Sequence, residues 1–425
     1  MNTLIAETFS QTAQHASCRF CGTGLQNSFV DLGMSPLCQT HIERHQLNHM
    51  EPFYPLHAWV CHKCFLVQLE EYVAPQNIFS ADYAYFSSYS DSWVEHARRY
   101  AEMMRSRFAL GANSLVMEIA SNDGYLLQHF VAAGVPVLGI EPAANCARAA
   151  QERGVRSEVC FHGTANAERI VAKYGQADVV LGNNVLAHVP DLNDFVAGMK
   201  RLLKPRGVIT MEFPHLLRLM EQNQFDTIYH EHFSYFSFFT VSQVFAAHQL
   251  TLFDVEELST HGGSIRIFAR HADDVSKPVS ERARELRQRE LQLGFDRLET
   301  YRNFGEQVKS TKRKLLSFLI ALKQQGKRIA GYGAPGKGNT LLNYCAIGKD
   351  FLDYTVDRSP HKQGKYTPGM HIPILAPDEI LKTKPDYVLI LPWNLKDEIA
   401  AQMGFIREWG GQFIVPIPEP RILES

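Results

Sequence analysis

The chain has 425 residues, of which 45% are hydrophobic and 21% are charged, and these values are typical of a globular protein with two or three domains. A net charge of −2 argues against a nucleic-acid or anionic-membrane partner, which would require clustered lysine and arginine. Residues 1–17 lack the features of a signal peptide, and no apolar run reaches the roughly 18 residues of a membrane span. We therefore expect a cytoplasmic protein that is a monomer or a weak homo-oligomer.

The first chemical signal is a pair of Cys-x-x-Cys turns in the loop-rich segment 1–95. The four cysteines are Cys18, Cys21, Cys61 and Cys64. Zn²⁺ prefers four thiolates in a tetrahedron, and two such turns leave no open position, so the spacing predicts a structural rather than a catalytic zinc site. The alternatives are unpaired buried cysteines, or His62 replacing one cysteine as a ligand. Cys38 has the character of a small core residue.

Segment 96–275 alternates apolar strands with helix-length stretches. Strands are predicted at 113–120, 135–143, 177–185 and 206–214, with two more at 251–258 and 264–271. Short apolar runs separated by helices indicate parallel βαβ units of an α/β domain. Ligands of such sheets bind at the carboxyl ends of the strands.

Small and polar residues stand at these strand ends. The predicted cofactor-binding residues are Glu118, Ala120, Ser121, Asn122, Asp123, Gly124, Glu141, Pro142, Asn183, Asn184 and His188. The first turn lacks the GxGxxG pattern of NAD-binding domains, and its acidic residues favour a zwitterionic amino-acid ligand over a pyrophosphate. Glu141 is placed to hydrogen-bond two ribose hydroxyls. Alternatively, Asn122 and Asp123 could cap the following helix.

A second cluster, FDTIYHEHFSYFS at 225–237, is rich in acid–base side chains. It holds Tyr229, His230, Glu231, His232 and Tyr235. A histidine can remove a proton next to a ketone, a tyrosine can donate to the enolate oxygen, and a carboxylate can orient the imidazole or bind a sugar hydroxyl. The two histidines are too close for the zinc motif HExxH, so no catalytic metal is expected here. The alternative is an aromatic-rich core strand.

Segment 276–425 begins with a charged helical stretch and continues as a second α/β unit. Val308, Leu315 and Leu319 recur at helical spacing and predict a helix with one buried face. The stretch 328–342 then predicts a strand, a glycine-rich turn and a helix. Further strands are predicted within 351–357, 386–393 and 412–418.

Two ligands are compatible with the glycine-rich turn. Its glycines fit GxGxxG, and Asp357 follows at a strand end, so NAD is a rival ligand for this domain. Pro335 inside the turn and Lys337 just after it change the electrostatics, and Lys337 could pair with the diphosphate of an acceptor.

Two other segments have two interpretations each. The aromatic stretch 82–90 could close over the active site or pack at a domain junction. The turn Thr260–Ser264 could line the cleft or be a plain bend.

Taken together, these motifs resemble the three-domain sugar C-methyltransferases of deoxysugar biosynthesis. The resemblance extends from Cys18 to about Pro418 and rests on the paired cysteine turns and on MEIASNDGYLLQHF, LGIEPAANCARAA, NNVLAHVPDLNDF, EFPHLL, FDTIYHEHFSYFS, THGGSIRIF, GYGAPGKGNTLLNYC, KQGKYTPGMHIPI and LILPWN. Relatives of this family methylate C3 of nucleotide-linked 4-keto-deoxyhexoses. Gly336 stands where many relatives are expected to have alanine.

The resemblance implies an α/β protein with three parts. These are a zinc-binding domain (1–95), an S-adenosylmethionine-binding methyltransferase domain of Rossmann-like fold (96–275), and a helical linker followed by a Rossmann-like C-terminal domain that contributes to nucleotide-sugar binding (276–425). It implies structural Zn²⁺ and a dTDP- or GDP-linked 4-keto-6-deoxy sugar as substrate.

The resemblance also assigns residues to roles. Its histidine base falls on His232, supported by Tyr229, Glu231 and Tyr83, with Tyr83 placed ahead of Tyr85. The residues expected on the substrate side are His261, Gly262, Gly263, Ser264, Tyr332, Lys337 and Asn339. Two other functions stay open at this point: an NAD-dependent sugar-nucleotide oxidoreductase, and a non-catalytic zinc-knuckle binding protein.

Overall fold

A computed structural model describes residues 16–73 and 86–424. The N-terminal strands are β1 (Asn27–Ser35), β2 (Tyr54–Val60) and β3 (Val67–Leu69). The middle elements are α1 (Asp91–Phe108), β4 (Val116–Ile119), α2 (Leu127–Ala132), β5 (Val137–Ile140), α3 (Ala144–Glu152), β6 (Ser157–Glu158), α4 (Thr164–Tyr174), β7 (Ala177–Asn183), α5 (Leu192–Leu202), β8 (Leu203–Pro214), α6 (Leu216–Glu221), β9 (Ser234–Tyr235), α7 (Phe238–Ala247), β10 (Leu250–Leu258) and β11 (Ser264–His271). The C-terminal elements are α8 (Glu281–Gln292), α9 (Leu298–Arg302), α10 (Phe304–Gln324), β12 (Ile329–Tyr332), α11 (Gly336–Cys345), β13 (Thr355–Val356), β14 (Ile374–Leu375), α12 (Glu379–Thr383), β15 (Tyr387–Ile390), α13 (Lys396–Gln402), β16 (Gln412–Val415) and β17 (Arg421–Ile422). Short 3-10 helices lie at Arg44–Gln46, Ser87–Tyr89, Leu186–His188, Phe225–Thr227, Thr260–Gly262, Trp393–Leu395 and Gly404–Trp409.

The middle segment forms a seven-stranded sheet in the order β10-β11-β8-β7-β4-β5-β6. Strands β4 to β8 run parallel, whereas β11 is antiparallel to both β8 and β10. β4 is buried along its whole length because helices cover both faces of the parallel part. The predicted strands of this segment are confirmed, and the parallel order brings the ends of β4, β5 and β7 together at one edge.

The N-terminal sheet is antiparallel and takes its last strand from the middle segment. Its order is β1-β2-β3-β9. Val67 pairs with Tyr235 and Gln68 with Ser234, and Leu69 N donates to Phe233 O over 3.1 Å. The N-terminal sheet therefore holds the chain directly after His232.

The C-terminal segment forms a second mainly parallel sheet in the order β14-β13-β12-β15-β16-β17, with only β17 antiparallel. Val308, Leu315 and Leu319 of α10 are fully buried, which confirms the predicted buried face. Within the part of the chain that the structure describes, no helix is long and apolar enough to cross a membrane.

The N-terminal and C-terminal parts share one apolar core. A single apolar cluster joins Phe29 of β1, Ile228 of the segment 225–237, Val308 of α10 and Leu341 of α11. The Phe29 and Phe304 rings stack with centroids 4.5 Å apart. Burial of this shared apolar surface holds the N-terminal and C-terminal sheets together. The domain limits at 95 and 275 stay a prediction.

Candidate active site

The Sγ atoms of the four predicted ligands converge within 4.8 Å of one another. Cys18 Sγ lies 3.5 Å from Cys64 Sγ, and Cys21 Sγ lies 3.5 Å from Cys61 Sγ. Thiolates on one zinc ion lie about 3.8 Å apart, because each Zn–S bond is about 2.3 Å, so this cluster fits four-coordinate Zn²⁺. His62 is exposed and outside the cluster, so neither alternative interpretation of these cysteines holds.

The turn after β4 has a left-handed backbone at three positions, Ala120, Asn122 and Gly124, with φ of 57°, 48° and 77°. Glu141 follows β5, the neighbouring strand. Its carboxylate accepts hydrogen bonds from the backbone N–H of Asn122 at 2.8 Å and of Ala143 at 2.9 Å. These bonds fix the carboxylate at the strand end where it is predicted to bind the ribose hydroxyls.

Several buried polar atoms around this turn have no hydrogen-bond partner among the described residues. They are both carboxylate oxygens of Glu118, Ser121 Oγ, Asp123 Oδ1 and Asn183 Nδ2. Burial raises the pKa of Glu118 well above its usual value, and the charges of Glu141 and Asp123 add to that effect. Of these residues, Asn183 lines the cavity described below, and because buried polar groups are normally paired, its amide fits a polar ligand such as the amino-acid part of S-adenosylmethionine.

The helix-capping alternative for Asn122 and Asp123 is wrong. Helix α2 begins at Leu127, and no side chain caps it. Asp123 instead forms an ion pair with Arg153 at 2.7 Å and accepts a short hydrogen bond from the hydroxyl of Ser88. The turn is therefore tied to the segment that precedes α1.

His232 faces the same cleft with one ring nitrogen free to accept a proton. Its Nδ1 donates to the backbone oxygen of Thr227 over 2.9 Å, which leaves Nε2 as the basic atom. Its ring centroid lies 4.0 Å from that of Tyr229 and 4.7 Å from that of His188. Burial lowers the pKa of His232 well below its usual value, so the ring is neutral at pH 7.

Glu231 adds a buried carboxyl group beside this imidazole. The Cys38 thiol, from the N-terminal segment, donates to Glu231 Oε1 over 3.7 Å. Burial raises the pKa of Glu231 to about 7. The carboxyl group therefore titrates near neutral pH, as acid–base groups of active sites often do.

His230 is turned out of this cleft. Its Nε2 donates to Pro55 O over 3.2 Å, and its ring packs edge-on against Tyr54. Within the described residues, the four cysteines are the only group of three or more His, Cys, Asp or Glu side chains close enough together to hold one metal ion. Residues 229–232 form a turn, since His232 N donates to Tyr229 O over 2.8 Å, so the core-strand alternative is wrong for them. Tyr235 does lie in the buried strand β9.

One cavity of about 1130 Å³ connects these groups. The predicted residues that line it are Ala120, Asn122, Glu141, Pro142, Asn183, Asn184, His188, Tyr229, Glu231, His232, His261 and Lys337. It exceeds the roughly 300–1,000 Å³ of a pocket for one small ligand, so two substrates could bind together. The turn after β4 and the His232 imidazole therefore open into one cavity.

Comparisons with known proteins agree with this arrangement. A zinc binding domain model matches residues 18–79, a model described as "Methyltransferase domain" matches 93–255, and one described as "C-methyltransferase C-terminal domain" matches 259–418. The chain is 36% identical to C-methyltransferase NovU of Streptomyces niveus over 96% of its own length and 97% of that protein. It belongs to the C-methyltransferase family.

Other similarities are shorter. A ubiquinone biosynthesis O-methyltransferase of Bartonella quintana is 28% identical over 23% of this chain and 40% of that protein. The solved magnesium protoporphyrin IX methyltransferase (ChlM) of Synechocystis, with bound SAH, matches 42% of this chain and 83% of that chain, with 14% identity and a TM-score of 0.33. The seven-stranded sheet with its antiparallel β11 is the sheet of class I S-adenosylmethionine-dependent methyltransferases.

Some predicted site residues of this C-methyltransferase do not line the cavity. These are Glu118, Ser121, Asp123, Gly124, Gly262, Gly263, Ser264, Tyr332 and Asn339. Tyr83 and Tyr85 lie outside the described residues. Asn339 Nδ2 donates to Cys38 O over 2.6 Å, and a Cβ at Gly262 would lie 2.7 Å from Trp393 Cη2. These two residues therefore support the wall of the cleft, and their role toward substrate stays a prediction.

Asp357, the acidic residue of the rival NAD interpretation, accepts hydrogen bonds from Ala334 N at 2.8 Å and Ser359 N at 2.9 Å. Glu141 makes the same two kinds of contact, so these bonds do not distinguish the two ligands. A Cβ at Gly336 would lie 2.9 Å from Cys38 Sγ, so the N-terminus of α11 contacts the N-terminal segment. The match of residues 259–418 to a C-methyltransferase C-terminal domain favours the methyltransferase over the NAD interpretation.

Sequence reasoning missed part of the cleft of this C-methyltransferase. His41, His361, Lys362 and Lys365 also line it. The last three follow β13, so the rule that ligands bind beyond the carboxyl ends of parallel strands could have found them. No local signal identifies His41, which comes from the N-terminal segment.

Proposed function

We propose that this chain transfers a methyl group from S-adenosylmethionine to C3 of a dTDP- or GDP-linked 4-keto-6-deoxy sugar in branched deoxysugar biosynthesis. The observation that supports the proposal is the shared cavity, which both Glu141 and the His232 imidazole line. S-Adenosylmethionine supplies an electrophilic methyl group on a sulfonium, which needs no metal for activation.

His232 is the proposed base that removes the C3 proton. The bond from Nδ1 to Thr227 O fixes the ring and its tautomer, and the low pKa keeps Nε2 unprotonated. A ketone at C4 makes this hydrogen acidic, since the charge spreads onto its oxygen as an enolate. Holding that carbon beside the methyl group supplies much of the rate acceleration.

Tyr229 and Glu231 are the proposed partners of His232 at the sugar. The Tyr229 ring packs at a tilt of 34° against the imidazole, and its hydroxyl can donate to a sugar oxygen. Glu231 in its carboxylate form can accept from a sugar hydroxyl while Cys38 holds it. Tyr83 is proposed for the same group on the resemblance alone.

A nucleotide sugar suits the rest of the cleft. His361, Lys362 and Lys365 line its C-terminal end, and lysines are common binders of phosphate groups. The four-thiolate cluster requires a reducing compartment, which is consistent with the proposed cytoplasmic location.

The direct test is a panel of nucleotide-linked 4-keto-6-deoxy sugars with methyl-labelled S-adenosylmethionine. We expect label on C3 of at least one sugar, located by NMR, with S-adenosylhomocysteine as the other product. Label on a sugar oxygen or nitrogen would contradict C-methylation. Consumption of NADH with the same panel would favour the oxidoreductase instead.

A further inference from the structure

Lys337 is a partly buried ammonium group that reaches the same cavity as His232 and Tyr229. It is the second residue of α11. Its Nζ donates to Asn394 Oδ1 over 2.8 Å and lies 4.8 Å from the centroid of the Trp393 ring. Both contacts hold the flexible side chain in one direction, as an aromatic face attracts a cation.

Three successive residues, 226–228, of the loop that carries His232 fix the position of this lysine relative to the imidazole. Asp226 Oδ2 accepts from Trp393 Nε1 at 2.7 Å, Thr227 O accepts from His232 Nδ1 at 2.9 Å, and Ile228 O accepts from Thr340 Oγ1 at 3.1 Å. Thr340 lies one turn after Lys337 on α11. The ammonium group and the imidazole are therefore fixed to the same short segment.

The charge of Lys337 is not neutralised by a direct ion pair. Among the described residues, no carboxylate lies within ion-pair distance of its Nζ. Its charge contributes to the lowered pKa values of both His232 and His261, so it acts at the centre of the cleft. Burial lowers the pKa of Lys337, and the buried Asp226 carboxyl opposes that effect without forming a direct ion pair. A partly buried cation in this setting fits a site where an anion forms.

Two other lysines of the cleft already lie beside carboxylates. Lys362 Nζ lies 3.6 Å from Asp357 Oδ2, and Lys365 Nζ lies 3.1 Å from Glu43 Oε1. Their side chains are 25% and 34% exposed. They suit a dianionic diphosphate at the cleft entrance, which is the role that the sequence had suggested for Lys337.

We propose that Lys337 is a catalytic residue that binds the C4 carbonyl oxygen of the sugar and stabilises the enolate oxygen, while Lys362 and Lys365 hold the diphosphate. This assignment rests on the proposed function. His232 Nε2 takes the C3 proton, the C–H pair becomes the C3–C4 double bond, and the carbonyl π pair moves to the oxygen beside Lys337. C3 then bonds to the methyl carbon, the S–CH₃ pair stays on sulfur as a thioether, and the ketone reforms.

The test separates enolisation from nucleotide binding in the full-length protein. Exchange of the C3 hydrogen in D₂O is followed with S-adenosylhomocysteine present and dTDP- or GDP-linked 4-keto-6-deoxyhexose as substrate. Binding of thymidine diphosphate and guanosine diphosphate is measured by calorimetry. We expect Lys337→Met to slow exchange about 10²–10³-fold, the usual effect of removing one oxyanion-stabilising donor. We expect its diphosphate affinity to stay close to that of the wild type.

Matched lysine variants separate the two roles. Lys362→Met should weaken diphosphate binding about 10-fold, as expected for loss of one charged hydrogen bond, and Lys382→Met, on exposed α12, should change neither measurement. Lys337→Met with wild-type exchange and weakened diphosphate binding would overturn the proposal. A wild-type enzyme that methylates neither sugar would instead contradict the proposed function itself.

Two variants of similar size, one without and one with the charge, control for structural damage. Lys337→Gln keeps a hydrogen bond to Asn394 without the charge, whereas Lys337→Arg restores the charge. We expect the arginine variant to exchange faster than the glutamine variant. Removal of the charge should also shift the acid limb of kcat/KM to higher pH, because the nearby cation lowers the pKa of the base. Equal exchange rates for these two variants would rule out the electrostatic role.

Discussion

His232 Nδ1 donates to the backbone oxygen of Thr227 over 2.9 Å, so the free lone pair of the imidazole lies on Nε2. A backbone carbonyl can only accept, and this contact therefore fixes the tautomer as well as the ring orientation. Thr227 belongs to the same short loop as the Asp226 carboxylate that receives the Trp393 indole. The C-terminal part of the chain thereby stabilises the loop that carries the base.

Replacing the base should lower turnover without loss of donor binding. We expect His232→Asn to reduce kcat about 10²–10⁴-fold, the usual contribution of a general base, with S-adenosylhomocysteine affinity unchanged by calorimetry. His230→Asn is the matched control, because His230 faces Pro55 outside the cavity and should retain most of the wild-type turnover. Full turnover of His232→Asn would disprove the assignment.

Glu231 should reduce stability at alkaline pH. Its pKa is raised to about 7 in the folded protein, so folding disfavours the charged form. The uncharged carboxyl group is tolerated at low pH, and stability falls as pH rises from the unfolded value of about 4.3 through 7. Glu231→Gln should therefore be more stable than wild type at pH 8, by up to about 3 kcal/mol, but not at pH 4. Chemical denaturation at both pH values is the measurement, and an equal difference at both would count against the raised pKa.

Glu141 should decide affinity for the donor nucleoside. Glu141→Gln removes a charged acceptor held by two backbone N–H groups, and we expect S-adenosylhomocysteine to bind about 10–100-fold more weakly. Glu158→Gln is the control at the next strand end, where the carboxylate pairs with Arg169 and Lys173 on the surface. Similar Kd values for both variants would refute the role of Glu141.

The cysteine cluster should bind one zinc ion per chain. Cys18→Ser removes a thiolate ligand, so we expect lower zinc content by atomic absorption together with a lower melting temperature. Cys160→Ser changes a cysteine outside the cluster and should leave the metal content unchanged. Unaltered zinc stoichiometry in Cys18→Ser would contradict the four-thiolate site.

Glu290 should be a structural carboxylate rather than a catalytic one. It accepts from His215 Nε2 at 2.6 Å and from the backbone N–H groups of Phe238 and Phe239, all inside the protein. Glu290→Ala leaves these donors unpaired, and we expect a loss of about 3–5 kcal/mol in the free energy of unfolding. Glu285→Ala, exposed on the same helix, should have little effect. The measurement is urea denaturation, and equal stability of the two variants would contradict this role.

Local patterns predicted much of this molecule. The strands β4, β5, β7 and β8 and the buried face of α10 follow from apolar periodicity, which depends on near neighbours in the chain. The thiolate set follows from two short turns whose chemistry is specific to metal ions. The base-rich loop was visible because its polar residues are consecutive.

Contacts between residues far apart in the chain could not be predicted from the sequence. Cys38 has the character of an ordinary core residue in the sequence, yet its thiol contacts Glu231, 193 positions later in the chain. Asp357 matches a nucleotide-binding pattern, and its carboxylate accepts from Ala334 N of the glycine-rich turn. Composition and spacing carry no information on which distant segments share a core, so such contacts are invisible in one sequence.

The order of residues alone reveals the kinds of chemistry available: a metal-binding thiolate set, an acidic strand-end turn and a histidine-rich loop. The tertiary structure decided which side chains meet, because the common apolar core of β1, α10 and α11 brings Lys337 and His232 into one cavity. Side-chain charge acts over a few ångströms, and only packing between distant segments sets such distances.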